Sequence, residues 1–482
     1  MFSDFLKDLF RYLPAKVLPG VFGFISIPIM TKLLEPKEYG HYMIVISTIS
    51  ILSIISGDWI GNSIIRFFPK FNNKFQLKFF NGTIIGLALL SVFFIVSISY
   101  ILAIQIKKYT NSELYNYLDI GLYLLTLVII YNITLQLIVA KRKIHHYSFF
   151  NIWRQCVCIL FGFFLVWYFK IGVNGMILGA IIGICLILPF LIYSSFGSIT
   201  SIRFSNNLFK EFAIYGLPIT VTNLSAWILE LSDRYIIEFY RGSSEVGLYS
   251  ISYKIAENSI MLLVTLMILA SQAIVMNIWE NEGAEKTSNF ITNITKFYLI
   301  ITIPATIGLC LTSKNVVQVL ADEKYLIGHQ VMPMVAISIF LFGFQRNFQL
   351  SLLFFKKTNL IMCLVLFSGI LNIIANLIFV PKYGFIAAGY TTLFSYLIFS
   401  ILSIIVSRRY FSWIFPYTTL VKVITATIPM SIAVIIIQYY TIEHALLSLS
   451  LSVIIGSAIY FVIIMIQKDL RKDILLIKKR KF

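Results

Sequence analysis

Six cations stand inside long apolar runs of this sequence: Arg154, Arg234, Lys254, Lys296, Arg346 and Lys422. A charge at the centre of a bilayer costs about 2.5–3.5 kcal/mol on insertion scales, so each needs a partner or a wet cavity. Two have counter-charges at helical spacing. Glu230, Arg234 and Glu238 recur four apart, the geometry of an intrahelical ladder, with Asp233 beside them, and Lys254 precedes Glu257 by three. These groups either pair along their own helices or serve a gate or a coupling ion. The other four cations lack such neighbours. Lys296 and Lys422 lie near the expected inner ends of their helices, where long stems reach headgroups, or else join a cavity lining. Arg154 and Arg346 lie deeper, and the amides of Asn132, Gln136, Gln345 and Gln349 fall at comparable depth. A water-filled cavity lined by guanidiniums and amides suits an anion, because the planar fork of Arg matches phosphate oxygens. A further stripe, Asp58, Asn62 and Arg66, follows an i, i+4, i+8 pattern. It is either a gate with a proton or sodium site, or a polar seam closed by helix neighbours.

The elements that carry these groups follow from composition. The chain has 482 residues, 59% hydrophobic and 12% charged, against roughly 45–50% and about 25% for soluble domains. Lipid is therefore its main solvent. About fourteen apolar runs of spanning length are expected near 12–34, 41–65, 79–105, 115–140, 149–169, 173–194, 210–240, 247–277, 289–312, 328–354, 358–380, 385–407, 416–440 and 444–466. They are too long and too continuous for barrel strands, which predicts helices. The formal charge of +18 follows topology and not nucleic acid. Lys and Arg collect at 7–16, 66–78, 141–143, 203–210, 286, 356–357, 408–409 and 468–481, at every second connection and so on one side of the spans. That predicts a multi-pass membrane protein with both termini in the cytoplasm. The basic tail 467–482 is expected to lie on the anionic membrane surface.

Several chemistries are disfavoured. The five histidines sit in loops or at span ends, so no metal cluster is expected. No Gly-Lys-Ser/Thr phosphate loop is present, no cofactor is implied, and no long outer loop offers a scaffold for a catalytic site. Cys156, Cys158, Cys185, Cys310 and Cys363 lie within apolar segments without metal or disulfide spacing and are expected as small core residues. No cleavable signal peptide is expected, since the first apolar stretch runs on to spanning length.

An internal repeat organises the chain. Leu18-Pro19 recurs as Leu217-Pro218, Tyr39-Gly40-x-Tyr42 as Val246-Gly247-x-Tyr249, Asn132 and Gln136 as Gln345 and Gln349, and Lys170-x-Gly172 as Lys382-x-Gly384. Each half holds six spans, an even number. The halves are therefore expected as two six-helix bundles, 1–208 and 209–410, related by a pseudo-two-fold axis along the membrane normal. Residues 411–466 form an appended helix pair.

The stretch Leu34-Glu35-Pro36-x-x-Tyr39-Gly40-x-Tyr42 resembles the N-terminal signature of bacterial polysaccharide biosynthesis membrane proteins. These are the O-antigen and capsule-repeat flippases of the multidrug/oligosaccharidyl-lipid/polysaccharide (MOP) exporter superfamily. Leu217-Pro218, Asp233-Arg234-Tyr235-Ile236-Ile237, Val246-Gly247-Leu248-Tyr249 and Lys254-Ile255-Ala256 resemble the same family's mid-chain motif. The resemblance implies a MATE-like fold and no enzymatic activity. It implies an undecaprenyl-diphosphate-linked oligosaccharide as cargo, carried to the outer leaflet by alternating access through a central cationic cavity. Membrane lipids and a polysaccharide polymerase are the implied partners, and nucleic acid is not. A peptidoglycan-precursor flippase or a multidrug exporter of the same superfamily is the alternative. A membrane-bound polymerase or ligase is a more distant one.

Overall fold

Long apolar runs satisfy their backbone groups internally as helices, and that is what the computed structural model contains. It describes residues 2–71, 74–109, 113–197, 203–441 and 444–467, and among them every regular element is helical. The basic tail from 468 onward lies outside the described residues. Contacts divide the chain into two compact units, Met1–Gly247 and Leu248–Phe482.

The first unit holds α1 (Phe2–Leu33), α2 (Pro36–Ser53), α3 (Trp59–Phe67), α4 (Lys74–Tyr109), α5 (Glu113–Ala140), α6 (Ile144–Ile152), α7 (Cys158–Phe169), α8 (Gly172–Phe196), α9 (Asn206–Arg241) and the start of α10 (Ser243–Asn281). π-helical turns join α2 to α3 (Ile54–Asp58) and α6 to α7 (Trp153–Val157), so that each pair forms one membrane-length span. The second unit holds the rest of α10, α11 (Ala284–Leu311), α12 (Ser313–Leu320), α13 (Met332–Phe354), α14 (Thr358–Arg408), α15 (Tyr417–Tyr440) and α16 (Ala445–Ile466).

Eleven described helices are long and apolar enough to cross a membrane, and the 3-10 segment Glu323–Gln330 with α13, bent by 54°, makes a twelfth. The 51 residues of α14 are interrupted at Gly384 (φ 66°, ψ −156°), which divides them into two arms of spanning length. With α1, these account for the fourteen apolar runs of the sequence. At the two Lys-x-Gly turns, Gly172 and Gly384 both have positive φ (50° and 66°), while of the lysines Lys170 does (φ 54°) and Lys382 does not. One connection carries structure of its own. Residues 313–330 form α12 and a 3-10 segment, with Asp322 capping the latter by accepting from the Lys324 N–H.

In lipid there is no hydrophobic drive between helices, so close packing has to come from small residues. The four glycines of α8 do this. A Cβ on Gly179 would lie 2.2 Å from the Gly162 nitrogen, and one on Gly183 would lie 2.6 Å from Cys158 Sγ. The backbones of α7 and α8 therefore touch. Around them Val45, Ile49, Leu125, Ile129, Ile177 and Ile184 form the core of the first unit. In the second unit Trp279 stacks on Phe354 at 4.6 Å, beside Phe348, Phe411 and Trp413. Outward faces are apolar too: Phe93, Trp167, Phe190 and Ile214 are exposed, as a lipid-facing surface requires. Cys185 and Cys363 belong to that surface and not to the core, because their helix faces point outward; Cys156 and Cys158 are buried.

The motifs that repeat are places where backbones meet. Glu35 and Glu38 form a capping box at the start of α2, with Pro36 in its first turn, which fixes where that helix begins. A Cβ on Gly40 would lie 1.8 Å from the Ser243 carbonyl oxygen, and one on Gly247 would lie 2.0 Å from that of Pro36. The two Gly-x-Tyr motifs thus bring the first turns of α2 and α10 into direct backbone contact.

Candidate functional site

Arg154 lies in the first unit and Arg346 in the second, both half-buried. In the first, Arg154 sits within the π-helical turn Trp153–Val157. Its Nη1 donates to Asn132 Oδ1 of α5 at 2.6 Å, and Asn132 Nδ2 donates in turn to Ser53 Oγ at 3.0 Å. Ser53 immediately precedes the other π-helical turn, Ile54–Asp58. A hydrogen-bonded chain thus links both irregular turns through α5. The guanidinium also lies 5.5 Å from the centre of the Tyr131 ring, close enough for a cation–π contribution. Tyr131 is fixed by its own hydroxyl, which donates to the Phe150 carbonyl at 2.7 Å. The single extra residue of a π turn shifts helix register locally, a device frequent at functional sites. Here it sets Arg154 on Asn132 while the adjacent Trp153 Nε1 donates to the Gly183 carbonyl at 2.9 Å.

Asp58 closes the first of these turns. Its Oδ2 accepts from Asn223 Nδ2 of α9 at 2.8 Å, a contact invisible to spacing arguments. Asn62 Nδ2 donates to the Asp58 backbone carbonyl at 2.8 Å. Arg66 is exposed at the end of α3, so the three residues do not act as one stripe. Gln136 packs beside Gly61, with its Cγ 2.9 Å from where a Cβ would stand.

In the second unit Arg346 Nη1 donates to Gln349 Oε1 at 3.3 Å and lies 5.8 Å from the Phe342 ring centre. Gln349 Nε2 donates to Ser403 Oγ of α14 at 3.3 Å. Gln345 is fully buried, and both its amide atoms lack a hydrogen-bond partner, as does Asn347 Nδ2. Arg346, Asn347 and Gln349 face a crevice of about 20 Å³ together with Ser271 and Gln272, which is room for one water. Both arginines are thus anchored by neutral amide oxygens, and neither makes an ion pair with a carboxylate among the described residues.

The remaining candidates fall elsewhere. Lys254 Nζ donates to Glu257 Oε2 at 3.0 Å. Asp233 and Arg234 are buried, and Arg234 Nη1 donates to the Glu230 carbonyl oxygen at 3.2 Å. The upper rung of the expected ladder is replaced, because Glu238 Oε1 accepts from Ser243 Oγ at 2.7 Å across the α9–α10 turn. Lys296 and Lys422 are half-buried and engaged with other groups. Sequence reasoning missed one polar knot. Asn376 Nδ2 donates to Asn372 Oδ1 at 3.0 Å, and Thr391 Oγ1 donates to Asn376 Oδ1 at 2.6 Å, all within the core flanking the Gly384 break. The four-residue spacing of two asparagines in an apolar run was its only signal.

These observations define an all-helical, multi-pass membrane protein with the fold of the MOP superfamily. The chain is similar in structure to the lipid II flippase MurJ in an inward closed conformation, with a TM-score of 0.78 and 18% identity over 95% of this chain and 98% of that one. An inward-facing multidrug-resistance MATE transporter of the MOP superfamily gives 0.65 and 13% identity over 82% and 97%. A MOP-superfamily transporter from Pyrococcus furiosus, whose binding pocket is described as reversed in polarity, gives 0.60 and 13% over 84% and 94%. No curated protein matches by sequence. The polysaccharide biosynthesis protein family matches residues 29–328, and the chain belongs to that family.

Proposed function

We propose that this protein is a flippase for an undecaprenyl-diphosphate-linked oligosaccharide, the repeat unit of an O-antigen, capsule or similar surface polysaccharide. It works in the bacterial cytoplasmic membrane with both termini inside, and passes its cargo to the outer leaflet by alternating access through a cationic cavity. The bundles 1–208 and 209–410 are the moving halves. One observation carries the reading: Arg154 and Arg346 are held by amide oxygens, so their charge is oriented but not neutralised. A diphosphate headgroup brings the missing negative charge, and its oxygens suit the guanidinium fork. Buried amides such as Gln345, with free donors and acceptors, suit sugar hydroxyls. Family membership supports the polysaccharide pathway. In this scheme Asp58 with Asn223, and the charged groups of α9 and α10, serve gating or ion coupling.

The test is deletion of the gene followed by analysis of lipid-linked saccharides. An oligosaccharide-diphosphate lipid accumulating on the inner face, relieved by the wild-type chain and not by Arg154→Ala/Arg346→Ala at equal membrane abundance, is the expected result. The fold's likeness to a lipid II flippase favours a second reading, transport of a peptidoglycan precursor. Accumulation of that precursor, with surface polysaccharide intact, would establish it instead.

A further inference from the structure

A groove of about 860 Å³ runs along the flank of the first unit, between the 141–143 connection, α6 and the end of α8. One end is basic, lined by Lys141, Lys143 and His146, and no acidic side chain lines any part of it. The rest is apolar and aromatic, with Phe149 and Phe190 exposed at 53% and 66% and Trp153 between them. That wall is continuous with the lipid-facing surface. Arg154 is not among the lining residues, so the groove is separate from the guanidinium site.

The basic end is built, not merely charged. Lys141 Nζ donates to the Ser195 carbonyl oxygen and Lys143 Nζ to that of Ser194, the latter at 3.1 Å. These are carbonyls of the last turn of α8, which have no intrahelical partner. Each ammonium has three donors, so each keeps two for a ligand after being fixed by the helix end. The hydroxyl of Ser194, which also lines the groove, is buried without a hydrogen-bond partner. Burial and the neighbouring Lys143 lower the pKa of Lys141; the charge of an anion seated between the two ammoniums would oppose that shift.

We propose that this groove is a binding site for an anionic phospholipid, with its phosphate held between Lys141, Lys143 and His146 and its acyl chains laid along Phe149, Trp153 and Phe190. Charge complementarity and the apolar wall together select this occupant: a free anion would have no use for the aromatic floor, and a neutral lipid none for two oriented ammoniums. Basic pockets at helix ends bind anionic headgroups by the same physics. The proposal stands apart from the transported cargo.

The test is native mass spectrometry of the full-length protein purified from nanodiscs with equal phosphatidylglycerol and phosphatidylethanolamine. Phosphatidylglycerol should be retained preferentially, and Lys141→Gln/Lys143→Gln should reduce that preference by about tenfold. Phe190→Ala should weaken retention of both lipids. If the double variant is not monodisperse, Lys143→Gln/His146→Gln, which alters only exposed side chains, decides, with a smaller loss expected. Neither inorganic phosphate nor polyprenyl diphosphate should displace the bound lipid. Unchanged preference in the basic-end variants overturns the site. Displacement by phosphate assigns the cluster to a soluble anion, and displacement by polyprenyl diphosphate assigns it to the cargo; both overturn the proposal.

Discussion

Charge balance around each arginine is set by one amide. Asn132 Oδ1 accepts from Arg154 and Gln349 Oε1 accepts from Arg346, at 2.6 and 3.3 Å. Replacing either amide by the isosteric carboxylate keeps the hydrogen bond and cancels the charge. Asn132→Asp and Gln349→Glu should therefore leave the thermal midpoint equal or higher while lowering export of an anionic cargo by about tenfold, a charge-assisted pair being stronger than a neutral one. Transport assays in vesicles alongside thermal unfolding measure both. A fall in stability and activity together would mean the arginines are merely structural. Arg154→Lys is expected to keep charge and lose most activity, because a point ammonium cannot hold Asn132 and a phosphate in one plane.

Between helices, backbone contact does the positioning. The repeated Gly-x-Tyr motifs place Gly40 against Ser243 and Gly247 against Pro36, where even a methyl group forces the helices apart. Overpacking of this kind costs about 1–3 kcal/mol or more, so Gly40→Val and Gly247→Val should each lower the thermal midpoint by several degrees. The double variant should be less than additive, since both open one contact. Gly179→Leu should behave likewise through α7 and α8. By contrast, Gly242 has open space where a Cβ would stand but a φ of 84°, so its substitution strains the backbone without a clash. Asn223→Ala should release Asp58 from α9. Altered ion dependence of transport at normal protein abundance would mark that contact as a gate; unchanged kinetics would mark it as a seam.

For the molecule as a whole, the proposed lipid-diphosphate cargo rests on membership in the polysaccharide biosynthesis family and on two arginines held by neutral amides. A broad-specificity exporter of organic cations would want carboxylates beside its cavity, and overexpression is expected to give no resistance to cationic dyes. Growth in a range of such dyes, with the protein quantified in membranes, checks this.

Fourteen apolar runs and their helical character were determined by the sequence alone. Each depends on the transfer of single residues or short windows between water and lipid, a property that needs no neighbours. That Arg154 and Arg346 stand within apolar helices was legible for the same reason, as was the turn at Lys170-x-Gly172. Tertiary structure alone decided what each group touches. That Asn132 bridges Arg154 and Ser53, that Asp58 meets Asn223, that Glu238 turns to Ser243 and not to Arg234, and that a π turn interrupts each of two spans are outcomes of ångström-scale packing between distant segments. A one-residue shift in register moves such partners to another face of the helix, and no periodicity in one dimension encodes which faces will meet.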